Sequence, residues 1–517
     1  MSVDPVVYRR RWKMLAVLSL SLVIIGLDNT ILNVALPSLQ AHFNASTSTL
    51  QWMVDSYMLV FAGLLLTMGT LGDRFGRKYA LQAGLVLFGG ASLAVLIVDT
   101  SNQLIAVRSA MGIGGALIMP ATLSIITNVF PPEERSRAIG VWAATAAVGI
   151  GLGPLFGGLL LEYFSWYSVF LLNVPVAAVA LAAGHVLVPN SRDPEPGRFD
   201  VAGAVLSMVT LVTLVYGIIE APQDGWTNPV VVGSFIASVV MGAAFIVWEL
   251  RTSDPMLNLS YFRNPRFSVA SMGIALASFC LFGGIFALTQ FLQDARGYSA
   301  LKAGCAMVPL AFGLVMGAGS SVKLVAKVGT TRVVMAGLLG FSGLLAVTLT
   351  WSYDMPYWPL GIWIFVLALC MGWVMAPSTD SVMGAVPEDK AGVASAMNDV
   401  TRQVAGALGT AVIGSLISSI YQSRVSSDAS GLPEPARSAV EGSVGQAHAV
   451  AATLPTSESA ALVHAANVAF TDAMGIGFAV AGVVALFAAL AVRQWLPPRR
   501  AESGISQMDV APDPTGA

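Results

Sequence analysis

Hydrophobic residues in this chain come in long unbroken runs separated by short polar stretches. The runs show neither the two-residue alternation of a half-buried strand nor the one-sided spacing of a surface helix. Runs of spanning length predict helices over 14–36, 50–71, 80–98, 103–127, 137–161, 166–188, 199–219, 230–250, 267–292, 304–325, 333–351, 357–378, 393–420 and 471–494. A bilayer core takes about 20 apolar residues per helix. Fourteen spans are therefore expected, and an even number puts both ends of the chain on one side.

The polar stretches between the runs set the orientation. The most charged is Gly69-Thr-Leu-Gly-Asp-Arg-Phe-Gly-Arg-Lys78, with Asp73, Arg74, Arg77 and Lys78 wedged between two apolar runs. Such a cluster cannot lie in hydrocarbon and must be a tight loop at a membrane surface. With the N-terminus placed inside, 21 of the 27 Lys and Arg fall in inner segments, 4 in outer segments, and Arg108 and Arg402 within spans. That asymmetry follows the positive-inside rule and predicts a multi-pass protein of the cytoplasmic (inner) membrane with both termini cytoplasmic.

Composition agrees. The chain has 517 residues, 56% hydrophobic and 11% charged, against about 25% charged in soluble domains. The net charge of −2 averages a basic and an acidic face, and nothing suggests a nucleic-acid partner. Cys280, Cys305 and Cys370 lie in or beside apolar runs without metal spacing and read as packing residues. The four histidines show no metal spacing either. The basic start, Arg9-Arg-Arg-Trp-Lys13, precedes a run too long for a signal-peptide core, so that run is expected to stay as the first span.

An internal repeat divides the chain. Pro120-Ala-Thr-Leu-Ser-Ile-Ile-Thr-Asn-Val129 resembles Pro377-Ser-Thr-Asp-Ser-Val-Met-Gly-Ala-Val386, and Leu71-Gly-Asp-Arg-Phe-Gly76 has a worn copy in Leu324-Val-Ala-Lys-Val-Gly329. Duplicated six-helix halves with a substrate site between them mark transporters. The expected organisation is a six-helix bundle over 1–190, a two-helix insert over 191–260 and a second bundle over 261–496. The outer segment 421–470 is expected to be a short helical hairpin or disordered, and the tail 497–517 disordered.

Ionisable residues inside spans are costly and are functional candidates by default. Asp28, Arg108 and Asp55 enter their helices from the same side, roughly 12, 9 and 7 Å deep at 1.5 Å per residue. They are expected to share a polar cluster in which a carboxylate beside an arginine changes protonation with solvent access, as a proton-coupled machine requires. The alternative is a static ion pair that fixes packing. Asp399 and Arg402 stand three apart on one helical face. They read as a structural pair, with a role in the cavity as the second reading. Glu220 and Asp294 fall at outer helix ends and Asp380 at an inner one, where surface exposure is expected. Trp52, Tyr57, Trp142 and Trp373 are candidates to line a greasy cavity. Gly149, Gly153, Pro154, Gly157 and Gly158 lie in one apolar run, where glycines let backbones approach and proline bends the helix. No Gly-x-x-x-x-Gly-Lys-[Ser/Thr] occurs, so energy is expected from a gradient rather than a nucleotide.

Gly69 to Lys78 resembles the loop 2–3 signature of the major facilitator superfamily. Leu27-Asp-Asn-Thr-Ile-Leu-Asn-Val-Ala-Leu-Pro37 resembles the helix-one signature of its fourteen-helix drug:proton antiporters. Arg108 with Gly112, Gly149 to Gly158, Gln290-Phe-Leu-Gln with Gly297-Tyr-Ser, and Asn398-x-x-x-Arg402-Gln are similar to further motifs of that family. The resemblance implies an all-α fourteen-helix membrane protein that is not an enzyme. It would need no cofactor beyond a proton gradient and would export amphipathic or cationic compounds, working as a monomer. It implies that Asp28 takes the proton or substrate charge, with Arg108 as its coupling partner, and that the Gly149–Gly158 run shapes the closed interface. Gly69, Asp73, Arg74, Gly76 and Arg77 are expected to form a conformational latch, with the arginines reaching carboxylates on neighbouring helices. The second-half copy has Ala326 where Asp73 stands, so that half does without the acid. A dedicated exporter of a metabolite or lipid and a non-transporting membrane sensor are the rival readings.

Overall fold

The computed structural model describes residues 5–192, 200–252, 255–386 and 391–495. The tail expected to be disordered, 497–517, lies outside the described residues. All regular elements among the described residues are helical. The first span is α1 (Pro5–Phe43), followed by α2 (Thr47–Phe75), α3 (Arg77–Ala94), α4 (Ser101–Val129) and α5 (Pro132–Tyr163). The sixth span is broken at Leu172 into α6 (Ser168–Leu171) and α7 (Asn173–Leu187). Pro175, just inside α7, has no N–H to continue a helix from the previous turn.

Then come α8 (Val201–Asp224), α9 (Pro229–Arg251) and α10 (Pro265–Gln290), which runs into a π-helical turn at Phe291–Ala295. They are followed by α11 (Ala300–Ala306), α12 (Val308–Val328), α13 (Thr330–Val347), α14 (Tyr357–Met383) and α15 (Ala391–Ala429). The chain closes with α16 (Glu434–Gly442), α17 (Val444–Ala451) and α18 (Thr456–Trp495). Fourteen segments are long and apolar enough to cross a membrane. Several overrun the expected bounds: α1 starts at Pro5 and carries the basic residues 9–13 within it. The helices outlast the hydrocarbon because nothing in the polar flanks stops them.

The segment 421–470 is helical rather than disordered. α15 and α18 extend into it, and Ser443 caps α17 by accepting a hydrogen bond from the Gln446 amide. Local caps and alanine-rich composition suffice there without an apolar run.

The spans pack as two six-helix bundles, one of α1–α7 and one of α10–α15 with α18, with the pair α8–α9 between them. The sequence repeat reappears in the backbone. Gly76 (φ +123°) joins α2 to α3, and Gly329 (φ +87°) joins α12 to α13. A side chain at that φ is strained, so both tight turns need glycine. Pro120 and Pro377 sit inside α4 and α14 in the same way.

For the geometry below, the face bearing the Gly69–Lys78 loop is the basic face. The halves are joined at the opposite face. Gln51 of α2 donates from Nε2 to the Thr410 and Ala411 carbonyls of α15, both at 3.0 Å. Gln40 donates to Ser443 Oγ (2.7 Å), Thr47 to the Gly442 carbonyl (3.0 Å) and Gln293 to the Val34 carbonyl (2.9 Å). At the same face glycines let α5 and α11 touch: a Cβ on Gly158 would strike the Ala300 carbonyl, and one on Gly304 the Pro154 carbonyl.

Candidate functional site

The first bundle holds an ion pair in its interior. Asp28 of α1 and Arg108 of α4 are each 1% exposed, and Arg108 Nη1 donates to Asp28 Oδ2 at 2.5 Å. Each end of the pair has further partners. Arg108 Nε donates to the Met53 carbonyl of α2 (3.1 Å), and its guanidinium stands over the Tyr57 ring, 4.5 Å from the centroid. On the other side, Asn173 Nδ2 lies 3.4 Å from Asp28 Oδ1 and 3.5 Å from Ser92 Oγ of α3. Five helices thus converge on one carboxylate–guanidinium pair. A pair out of water holds only while both charges are present and their remaining hydrogen-bonding groups are satisfied.

The sequence placed Asp28 and Arg108 at similar depth, and the structure brings them into contact. Asn173 went unread, although an asparagine in the apolar run Leu171-Leu-Asn-Val-Pro175 was a visible signal. Tyr57 lies under the guanidinium, fully buried, rather than lining a cavity.

Asp55 does not join the cluster. Met53 and Tyr57 turn toward Arg108, whereas Gln51 and Asp55, one helical turn apart, face α15. Asp55 is fully buried beside Thr410 of α15. The 3.6-residue period separates groups that depth alone would unite.

The glycine run of α5 forms the seam with α1. Gly149 packs on Gly26, whose Cα lies 3.2 Å from where a Cβ would stand, and Gly157 packs on Ile31. Pro154 leaves the Ile150 carbonyl without its helical donor, and Thr30 Oγ1 of α1 supplies one at 2.9 Å. A Cβ on Gly153 would collide with that same hydroxyl. The motif therefore sets how closely α5 lies against the helix carrying Asp28.

At the basic face, Arg77 Nε donates to Asp73 Oδ1 (2.7 Å) and Arg77 Nη1 to the Ser124 carbonyl (3.4 Å). Lys78 Nζ reaches the His185 carbonyl (2.7 Å), and Gly69 packs on Pro120. Asp73 lies in the last turn of α2, and Arg74 is exposed against Phe75. The arginines were expected to reach carboxylates on neighbouring helices; here Arg77 is engaged within the first bundle. Arg11 of α1 makes a two-pronged bond to Glu134 of α5 (2.7 and 2.9 Å) on this face. Those hydrogen bonds hold the Glu134 carboxyl below its usual range.

In the second bundle Asp399 and Arg402 pair at 2.8 Å, with the aspartate buried and the arginine partly exposed. Two carboxylates expected on the surface are only partly exposed. Glu220 of α8 accepts from Trp52 Nε1 (2.8 Å), and Asp294 has a buried oxygen, Oδ2, with no hydrogen bond. Length along a helix does not reveal that a neighbour covers its end. Asp380 is exposed as expected, Cys280 and Cys370 are buried, and Cys305 is exposed. Trp142 and Trp373 donate to Thr122 (3.1 Å) and Ser320 (2.9 Å). Among the described residues no group of His, Cys, Asp or Glu is placed to hold a metal.

Some known proteins are similar to this chain in sequence, and some solved structures are similar to it in fold. The Major Facilitator Superfamily model matches residues 18–410. The multidrug efflux pump LfrA of Mycolicibacterium smegmatis is 35% identical over 489 residues, covering 93% of this chain and 96% of that protein. The tetracenomycin C resistance and export protein of Streptomyces glaucescens is 32% identical over 504 residues, covering 95% and 93%. The methyl viologen resistance protein SmvA of Salmonella typhimurium is 32% identical over 499 residues, covering 95% and 99%. Among solved structures, an inward-facing bacterial homologue of the human lysosomal transporter Spinster aligns with a TM-score of 0.66 at 19% identity, covering 96% of this chain and 98% of that one. Matched along most of its length and built as two six-helix bundles, the chain belongs to the Major Facilitator Superfamily and is a multi-pass membrane transporter, not an enzyme.

Proposed function

We propose that this protein exports amphipathic or cationic drugs in exchange for protons by alternating access. In this reading it lies in the cytoplasmic membrane with the basic face and both termini inside. The carrying observation is the buried Asp28–Arg108 pair. A proton on Asp28 removes the charge that holds Arg108, and the guanidinium falls back on the Met53 carbonyl and the Tyr57 ring. A cationic substrate would compete for the same carboxylate, so proton and substrate exclude each other. That exclusion is what antiport requires. The named functions of the relatives, multidrug efflux and drug resistance, support export.

The remaining candidates fit around this core. Asp55 faces the second bundle, where a change in its charge would be felt at the seam. Asp399 and Arg402 are a self-neutralised pair in the second half. The Gly69–Lys78 loop acts as a latch: with the halves joined at the opposite face, Arg77 rests on Asp73 and Arg74 is uncommitted. A single chain, using a proton gradient and no cofactor, suffices for this cycle. A second reading, a dedicated exporter of one metabolite, draws on the relative named for tetracenomycin C.

Asp28→Asn should abolish proton-driven efflux from energised vesicles while leaving folded protein in the membrane. Undiminished efflux by that variant would overturn the assignment. Collapsing the proton gradient should stop wild-type efflux at constant ATP; persistence of efflux would overturn the energy source.

A further inference from the structure

The insert carries a pair of carboxylates that the export cycle does not use. Asp200 caps α8: its Oδ1 accepts from the Gly203 amide and from Trp248 Nε1 of α9, both at 2.8 Å. Glu249, in the last turn of α9 and only 4% exposed, accepts from the Leu257 amide through Oε2 at 3.0 Å. Each carboxylate thus has one satisfied oxygen. The other two, Asp200 Oδ2 and Glu249 Oε1, are buried and have no donor. They converge on one point, because a Cβ on Gly203 would strike them both.

Two carboxylates that meet out of water cannot both keep a charge. Among the described residues Asp200 is the one charged group that acts on Glu249, and Arg192, Arg251 and Arg263 on the flanking segments are exposed. A metal ion takes roughly four or more ligands. Only two oxygens meet here, and among the described residues no group of His, Cys, Asp or Glu is placed to hold one. A single hydrogen supplies the donor that both oxygens lack.

We infer that Asp200 and Glu249 share one proton, and that the pair is a pH-sensitive clasp on the strap joining the insert to the second bundle. The strap, residues 255–263 with a 3₁₀ turn at Leu259–Arg263, runs from α9 to α10. Glu249 holds it at Leu257, and the adjoining Met256 Sδ accepts from Thr67 Oγ1 of α2 at 3.5 Å. The insert, the first bundle and the lead into the second are thus fastened at neighbouring residues. While the proton is shared, Glu249 stays in place. When the proton leaves to water, two anions face each other, Glu249 is driven off, and the Leu257 amide loses its acceptor. Rising pH at the basic face therefore releases the strap. The clasp works whatever the protein exports, so it stands apart from the export reading.

Hydrogen exchange of the full chain in detergent measures the strap directly. Protection of residues 255–263, taken relative to the intrinsic rate at each pH, should be flat through the acid range. It should then fall by up to about tenfold per pH unit once the shared proton is lost. Glu249→Gln puts an amide N–H where the proton was and keeps an oxygen for Leu257, so its strap should stay protected across the whole range. Asp200→Asn should do the same from the other side. Glu249→Ala removes the clasp and should lose protection at every pH; if that variant fails to fold, wild type against Glu249→Gln decides alone. A wild-type profile without an alkaline fall, an alkaline fall that persists in Glu249→Gln, or retained protection in Glu249→Ala overturns the clasp. Loss of protection in Glu249→Gln at every pH, or alkaline protection restored by millimolar calcium, would mean that the pair holds a cation and overturns the shared proton.

Discussion

The Thr30 hydroxyl donates to the Ile150 carbonyl, the one backbone acceptor of α5 that Pro154 deprives of its helical donor. Thr30 lies two residues from Asp28, so a defect in one helix is repaired by the helix that carries the ion pair. Thr30→Val keeps the shape and removes the donor, which should cost about 1–3 kcal/mol. In a Pro154→Ala background the carbonyl regains its own amide, and the same substitution should cost less. Thermal melts in detergent of the four proteins measure the difference. Gly153→Ala should resemble Thr30→Val, because its methyl displaces that hydroxyl, whereas Gly140→Ala meets open space.

Removing one partner of the Asp28–Arg108 pair strands the other charge out of water. Asp28→Asn and Arg108→Gln should each destabilise the fold by about 3–5 kcal/mol, and the double variant by clearly less than their sum. Melting temperatures of the three variants test this, with all three inactive in efflux. Additive losses would mean that the two charges do not depend on each other.

In the proposed cycle, the few groups that join the halves opposite the basic face separate when the protein opens there. Gln51→Leu removes both bonds to α15 and should bias the halves toward separation by about 1–3 kcal/mol, up to roughly a hundredfold in population. Distances between spin labels at the ends of α2 and α15 should lengthen. Gly158→Ala acts at the α5–α11 contact and should shift labels there in the same direction.

On the basic face, Glu134 is an acid whose folded-state pKa is depressed by Arg11. Its contribution to stability is therefore present above the ordinary glutamate range and is lost as pH falls through the lower folded value. The melting temperature of wild type should fall over that acidic window by more than that of Glu134→Gln, and the two should converge at the acid end. A Glu134→Gln protein that matched wild type at neutral pH would show the pair to be without effect.

The architecture was legible because the bilayer imposes it. Every backbone polar group must be satisfied within its own span, so fourteen apolar runs become fourteen helices. The charges of Gly69–Lys78 announced a tight loop at the membrane surface, and the repeat announced two halves. Where water and side chains compete for the backbone, as in 421–470, the same reading left helix and disorder open.

By itself the sequence determined the helix count, the paired halves, the charge asymmetry of the two faces and the depth of Asp28 and Arg108, because each follows from local composition and a rise of 1.5 Å per residue. The tertiary structure alone decided which side of each helix meets which neighbour. It joined Asp28 to Arg108 and Asn173, turned Asp55 away toward α15, set Glu220 against Trp52, and laid α8 against both α2 and α15. An all-apolar helix in lipid has no polar face to betray its orientation, so rotation about its axis is settled only when close-packed neighbours exclude the alternatives.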